Sequence, residues 1–199
     1  MKLRYSPTSP FARKVEVTAH ELGLAERIER VPTNAWDPKT DLGRVNPLGK
    51  VPALVTDDHG VLYDSPVICE YLDSLVGGRL LPPGGPDRWT ALRRQALADG
   101  LMDAAVLARM ESQRPAGEQS PGWITRQKSA VSRALDALES EAADLGGPLT
   151  IGHVAIGCAL GYLDLRFADD GWRNGRPKLA DWYREFSARP SMTSTVPQG

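Results

Sequence analysis

The sequence predicts two parts, an α/β unit followed by an all-helical unit. Three observations carry this. Strand and helix patterns alternate through residue 76. A glycine- and proline-dominated run, Gly77-Gly78-Arg79-Leu80-Leu81-Pro82-Pro83-Gly84-Gly85-Pro86, comes next. After it the strand signals stop and the apolar spacing is helical. The expected domains are therefore residues 1–76, a linker at 77–86 and a helical domain at 87–199. A chain of 199 residues is long enough for two small cores of this kind.

In the first part, Lys2–Tyr5 reads as a strand that runs into a hydroxyl-rich turn. Ser9 suits an N-cap, and Pro10 suits the first helical position, where its missing N–H is no loss. Phe11, Val15, Ala19 and Leu22 then recur at helical spacing to about residue 22. Ile28–Pro32 is a second strand, and Thr33–Arg44 is irregular with a helical turn after Pro38. Asn46-Pro47-Leu48-Gly49 is turn chemistry. Val51–Val55 and Val61–Tyr63 make a hairpin across Asp57-Asp58-His59-Gly60. Ser65-Pro66 caps a helix whose buried face carries Val67, Ile68, Tyr71, Leu72 and Leu75.

In the second part, Asp87 caps a helix to about Glu111, and Ser120-Pro121 starts another with Ile124, Val131, Leu135 and Leu138 on one face. That helix ends near Gly146-Gly147. A third begins at Thr150 and is apolar or small from Val154 to Leu163, so it is expected to be buried all round. A last amphipathic helix covers Leu179–Ala188 and ends before Arg189-Pro190.

Composition narrows the function classes. The formal net charge is -1, which leaves no electrostatic footprint for nucleic acid or an anionic membrane. No apolar run is long enough to span a bilayer and the first residues lack a signal-peptide core, so a cytoplasmic protein is expected. Cys69 and Cys158 sit in apolar helical patterns and read as buried, reduced thiols. There is no Cys-x-x-Cys, no zinc-type spacing among His20, His59 and His153, and no glycine-rich phosphate loop; no metal is expected.

The stretch from Tyr5 to Val15 sets a hydroxyl and free backbone N–H groups at a helix start on the end of a strand. That arrangement favours an anion, of which a thiolate is one. A plain helix cap accounts for the same residues, because Ser-Pro also recurs at Ser65-Pro66 and Ser120-Pro121.

Four stretches together resemble the soluble glutathione transferases, of the bacterial type with an active-site serine. Ser9-Pro10-Phe11-x-Arg13 resembles the family's Ser-Pro-Phe or Cys-Pro-Phe motif. Asn46-Pro-x-Gly-Lys-Val-Pro52 resembles its cis-proline loop, and Asp64-Ser65 its acid-then-serine pair. Thr150-Ile-Gly-x-Val-Ala-Ile-Gly is similar to its helical-domain capping motif. The resemblance spans nearly the whole chain and implies a thioredoxin-like domain followed by the helical one.

It also implies roles. Ser9 donates a hydrogen bond to the sulfur of bound glutathione; Thr8 and Ser6 are rivals for the position. A free thiol has a pKa of about 8.5, and lowering it by about two units takes about 2.7 kcal/mol of preferential stabilisation. A charge-assisted hydrogen bond with a helix terminus is of that order. The Val51–Pro52 bond is implied to be cis, turning the Val51 N–H and C=O outward to pair with the peptide in strand fashion. Lys50 is placed for the glycine carboxylate, although a solvated loop lysine reads the same. Ser65 meets the γ-glutamyl carboxylate and Asp64 the α-ammonium. Arg13 reads as a surface arginine, against the alternatives of raising the local potential or bracing the linker.

Glutathione is thus the implied co-substrate, activated as thiolate to attack a small electrophilic apolar molecule. Conjugation, dehalogenation, isomerisation and peroxide reduction share that step. The alternative is a glutathione-binding or protein-interaction module of the same fold with little catalysis. A homodimer is implied by the resemblance alone, with Asp99 or Asp103 reaching a neighbouring subunit's glutathione. Met102, Arg109, Met110 and Trp123 lie in the helices that supply the second-substrate pocket, where core packing is the competing role.

One position departs from the family pattern. His153 stands where an aspartate is usual, at the third helical position after the cap Thr150. Imidazole is a poor stand-in for a carboxylate acceptor in a capping box. The expectation is an under-capped helix, weaker by about 0.5–2 kcal/mol, which His153→Asp would relieve.

Overall fold

The computed structural model describes residues 1–197. In chain order the elements are β1 (Lys2–Tyr5), α1 (Pro10–Glu21), β2 (Glu29–Pro32), α2 (Leu42–Val45), β3 (Ala53–Val55), β4 (Val61–Leu62), α3 (Ser65–Ser74), α4 (Gly85–Ser112), α5 (Pro121–Glu141), α6 (Ile151–Arg166), α7 (Pro177–Ser187) and α8 (Pro190–Thr193). The strand-and-helix order follows the sequence pattern. The strands are shorter than expected: β3 begins at Ala53 rather than Val51, and β4 stops at Leu62.

The chain forms two compact units. The first holds Met1–Trp89 together with the segment that begins at Pro190. Its sheet has the order β2-β1-β3-β4. β1 runs parallel to β2, with Tyr5 opposite Pro32, and antiparallel to β3, with Arg4 opposite Ala53. β3 is antiparallel to β4, with Leu54 opposite Leu62. Helices α1 and α3 pack together, and α3 packs on β3. Leu3, Val15, Val17, Leu54, Ile68 and Leu72 are buried at their centre. This mixed sheet with its helices is the thioredoxin-like arrangement that the resemblance implies.

The glycine- and proline-rich run after α3 is held down by one buried side chain. Asp73 accepts the Arg79 and Leu80 amides on Oδ1, at 2.8 and 2.7 Å, and the Leu81 amide on Oδ2, at 3.0 Å. Its carboxylate satisfies three consecutive backbone donors, so the run is a fixed strap where composition suggested only a break.

The second unit, Thr90–Arg189, is wholly helical apart from its connections. Every residue of α6 from Ile151 to Leu163 is buried, as its apolar run predicts. Gly152 is required there: a Cβ on it would lie 2.8 Å from the Arg94 Cβ and 3.0 Å from the Ala91 carbonyl oxygen. Arg93 holds Glu141 with two parallel bonds of 2.7 Å, and Arg94 adds a third at 3.2 Å. The Arg93 and Arg94 guanidinium groups hold the Glu141 carboxyl below its ordinary pKa.

The start of α6 corrects the expectation of an under-capped helix. The Thr150 amide donates to His153 Nδ1 at 2.9 Å, and the Thr150 hydroxyl lies at the same distance from that atom. An imidazole can return the capping-box bond provided Nδ1 carries no proton. Burial, reinforced by the charges of Arg94 and Arg189, pushes the His153 pKa down to about 4 and keeps the ring neutral. The proton then sits on Nε2, which is buried without a hydrogen-bond partner among the described residues.

The C-terminal segment is the other difference. The sequence reading ends the helices at Arg189-Pro190 and gives the remainder to the helical domain. Instead Pro190 opens the short helix α8, which packs on α1 and belongs to the first unit.

Candidate functional site

The sheet register brings three stretches to one end. β1 ends at Tyr5 and leads into Ser9; β3 starts at Ala53, opposite Arg4, so Val51 and Pro52 lie beside that end. β4 runs antiparallel to β3 and therefore parallel to β1, and its C-terminal end leads into Asp64 and Ser65. The N-termini of α1 and α3 consequently point to the same edge of the sheet. Two helix starts side by side favour a ligand with two anionic groups.

Each stretch is built by its own residues. Ser9 is the N-cap of α1 with an extended backbone, and its Oγ accepts the Ala12 amide at 3.2 Å. The residue is half-buried, and α1 has no acid in its first turn to compete for the remaining donors. The hydroxyl proton is free to be donated while the oxygen accepts. Thr8 is also half-buried, outside the helix.

The loop before β3 is organised by Asn46, which is 1% exposed. Its side chain donates to the Lys50 carbonyl at 2.8 Å and accepts the Leu48 amide at 3.0 Å. Gly49, at a φ of 62°, completes the turn. Lys50 is exposed, Val51 half-buried and Pro52 buried. The Val51–Pro52 bond is cis, as the resemblance implies, and so is Tyr63–Asp64.

At α3 the structure changes one detail. Ser65 is the first helical residue rather than the cap, and Pro66 takes the second position. Asp64 occupies the cap position, exposed, and its side chain makes no capping bond. Ser65 is 2% exposed, and Ile68 donates to the Asp64 carbonyl at 3.0 Å.

Sequence reasoning missed the residues that brace these stretches. Arg4, on β1, donates from Nε to Thr33 Oγ1 at 2.8 Å and pairs with Asp41, fixing the irregular segment after β2. That bond to Arg4 holds the Asp41 carboxyl below its usual range. Asn46 was legible as turn chemistry, but the reach of its side chain across the loop was not. Arg13 is buried and not the surface arginine expected. Its guanidinium partners Met192 and Thr195 lie about 180 residues on, so no local pattern could reveal them.

The second-substrate candidates divide. Met102 is fully buried and belongs to the core, whereas Met110 and Trp123 are 39% and 41% exposed and Arg109 is half-buried. The helical unit has a cavity of about 340 Å³ of its own, floored by Leu135, Leu163, Phe167 and Trp172, with Lys128 and Asp170 paired at 2.8 Å beside it. None of the four candidates lines it. Among the described residues no group of three or more metal-binding side chains is clustered, and no helix is long and apolar enough to cross a membrane.

Comparison with known proteins agrees with this layout. Residues 8–75 match the model for the glutathione S-transferase N-terminal domain, and residues 121–185 that for the C-terminal domain. The chain is 37% identical to the uncharacterized GST-like protein YibF of Escherichia coli (strain K12), over 99% of this chain and 98% of that one. A glutathione transferase family member from Pseudomonas fluorescens Pf-5, solved with bound glutathione, is 44% identical with a TM-score of 0.95, over 100% and 99% of the two chains. A glutathione S-transferase from Methylobacillus flagellatus KT, also solved with glutathione, is 38% identical with a TM-score of 0.93 over 99% of each. On these matches and this fold, the chain belongs to the glutathione S-transferase family.

Proposed function

We propose that this chain is a glutathione transferase. The observation that carries the reading is the meeting of Ser9, the Val51–Pro52 loop and Asp64-Ser65 at one sheet end, under two helix N-termini. Relatives of the same length and fold bind glutathione in that family.

Glutathione offers groups that match the three stretches. Its γ-glutamyl carboxylate meets the Ser65 hydroxyl and the start of α3, and its α-ammonium meets Asp64. Its cysteinyl backbone pairs with the N–H and C=O of Val51 as an added strand beside the end of β1. Lys50 takes the glycine carboxylate. The sulfur then sits at the start of α1, where Ser9 donates to it. Ser9 is not the nucleophile; it stabilises one.

The chemistry is thiolate attack. The hydroxyl and the α1 terminus favour the charged sulfur, so its proton leaves to solvent near neutral pH. A sulfur lone pair forms the C–S bond to an electrophilic carbon of a small apolar molecule. A leaving group departs with the bonding pair, or the displaced π electrons take a proton from water. No metal is needed for this step. A mixed-disulfide route is disfavoured because position 9 holds serine and not cysteine.

Calorimetry with glutathione, combined with the ultraviolet absorbance of the bound thiolate against pH, tests the reading. Wild-type protein is expected to bind, with the thiol titrating about two units below free glutathione. Ser9→Ala is expected to keep binding and to restore a near-normal titration. Binding with a normal wild-type titration would instead support a glutathione-binding module.

A further inference from the structure

The first turn of α1 is held by the Ser9 cap bond to the Ala12 amide and lacks the second half of a capping box. Its N-terminal donors have no partners one turn back, and such turns fray. With Ser9 as cap, the position that would return a capping-box bond is Ala12, which has no acceptor side chain. No acid lies in the turn.

The Ser9 amide donates to the Ser6 carbonyl at 3.0 Å instead, and Arg13 ties the turn to the C-terminal segment. The Arg13 backbone N–H donates to the Ser9 carbonyl at 3.0 Å. Its side chain is 6% exposed, and Nη2 donates to the Met192 carbonyl at 3.0 Å, with Nε directed at Thr195 Oγ1 at 3.5 Å. Thr195 Oγ1 in turn donates to the Ser191 carbonyl at 2.7 Å, which closes the receiving turn on itself. At the far end of α1, Ser191 Oγ donates to Glu21 Oε1 at 2.5 Å. The segment from Pro190 to Thr195 is thus fastened to both ends of the helix that carries Ser9. A planar guanidinium holds a carbonyl and a hydroxyl on separate residues with donors in a fixed fork, a constraint that the rotatable donors of an ammonium do not impose.

We propose that Arg13 is a positioning residue, and that the C-terminal turn Pro190–Thr195 is a brace that holds the first turn of α1, and with it Ser9, in the geometry that stabilises a bound thiolate. The last clause rests on the glutathione transferase reading; the brace itself does not. The continuous path is Ser9 carbonyl, Arg13 amide, Arg13 guanidinium, Met192 carbonyl.

Two measurements on four proteins test this: wild type, Arg13→Met, Thr195→Val and Ser9→Ala. The first is the glutathione thiolate absorbance against pH. Arg13→Met is expected to raise the bound thiol pKa by about one unit, a tenfold loss of thiolate well below that pKa. Its glutathione Kd should stay within about threefold of wild type, because the peptide-holding loops are untouched. The second is amide hydrogen exchange of the ligand-free protein. The Ala12 and Arg13 amides should exchange about tenfold faster, with β1 and α3 unchanged. Thr195→Val removes the hydroxyl that accepts from Arg13 and donates to the Ser191 carbonyl, and should move both readouts the same way by less; it serves if Arg13→Met does not fold. Loss of protection throughout the protein with the titration left alone would mark a merely structural role and overturn the positioning role.

The outcomes separate the two claims. If Ser9→Ala raises the thiol pKa and neither brace variant does, the positioning role is overturned. If Ser9→Ala changes nothing, the functional reading fails, and the exchange data still decide the brace. Unchanged protection at Ala12 and Arg13 in both variants overturns it.

Discussion

Helices α1 and α6 begin with the same local chemistry and put it to opposite uses. Each has a hydroxyl residue in extended conformation at its cap, Ser9 and Thr150. In α6 the third helical residue, His153, returns a bond to the cap amide; Thr150 is half-buried, and Ile151, Gly152 and His153 after it are buried, with Gly152 pressed against Arg94 and Ala91. In α1 the cap is likewise half-buried, but the third residue is Ala12, which returns no bond, and the first turn is held from the side by Arg13. A capping box closes a helix terminus; a cap without one leaves donors and a hydroxyl for something else. The difference lies three residues past the cap, and in what surrounds it.

The largest effect expected from that difference is acid sensitivity at α6 alone. Folded His153 titrates near a pKa of about 4, against about 6.5 in the unfolded chain. Between those values the unfolded state binds more protons, so stability rises with pH across this window. The contribution is fully present above pH 6.5 and is lost as pH falls toward 4. About two and a half units correspond to about 3 kcal/mol. Urea unfolding between pH 4 and 7.5 measures it, with His153→Asp as the comparison. That variant can return the bond to the Thr150 amide as a carboxylate. It should lie within about 1 kcal/mol of wild type at pH 7.5 and shed most of the slope above pH 4.5. A steep fall that persists in His153→Asp would locate the acid sensitivity elsewhere.

At α1 the balance reverses. Ser9→Ala removes one cap bond and should lower stability by about 1 kcal/mol. On the transferase reading the same change moves the bound thiol by about two units, or about 2.7 kcal/mol. A stability loss much greater than that functional change would mean that the hydroxyl is mainly a cap. Gly152→Ala is the matching test of the closed terminus. Its Cβ would sit 2.8 Å from the Arg94 Cβ, so overpacking should cost about 2 kcal/mol with no effect on glutathione titration. Denaturant midpoints and the thiolate absorbance decide both.

How much of this could be read in advance follows from the range of the forces involved. The helix starts at Pro10 and Pro121, the buried run of α6 and the turn at Asn46 are set by residues within one or two turns of each other, and the sequence shows them. The approach of Ser9, Val51 and Ser65 was read only through the family resemblance, because it depends on strand order and register. Asp73 gathering three amides six to eight residues on, and Arg4 and Arg13 reaching Asp41 and Met192 from much farther away, are single side chains with no periodicity to betray them. His153 misled for a different reason. Its residue type looked unfit for the box, but burial changes which form of imidazole is present. The shortening of β3 to Ala53–Val55 has a simple cause: Pro52 has no N–H to give to a ladder, so pairing begins only after it.

The third Ser-Pro start supplies the smallest effect and the control for the other two. Ser120 caps α5 with its Oγ accepting the Trp123 amide at 3.3 Å, in an exposed setting, while its own amide donates to Glu111. Solvent can replace a lost cap bond there, so Ser120→Ala should cost about 0.5 kcal/mol, at the low end for cap removal. It should leave both the acid slope and any bound-thiol titration at wild-type values. If Ser120→Ala destabilises as much as Ser9→Ala, exposure does not separate the helix starts of this chain. If it does not, the local Ser-Pro motif is a shared way of beginning a helix, and the added consequence at Ser9 comes from the sheet end on which it is mounted.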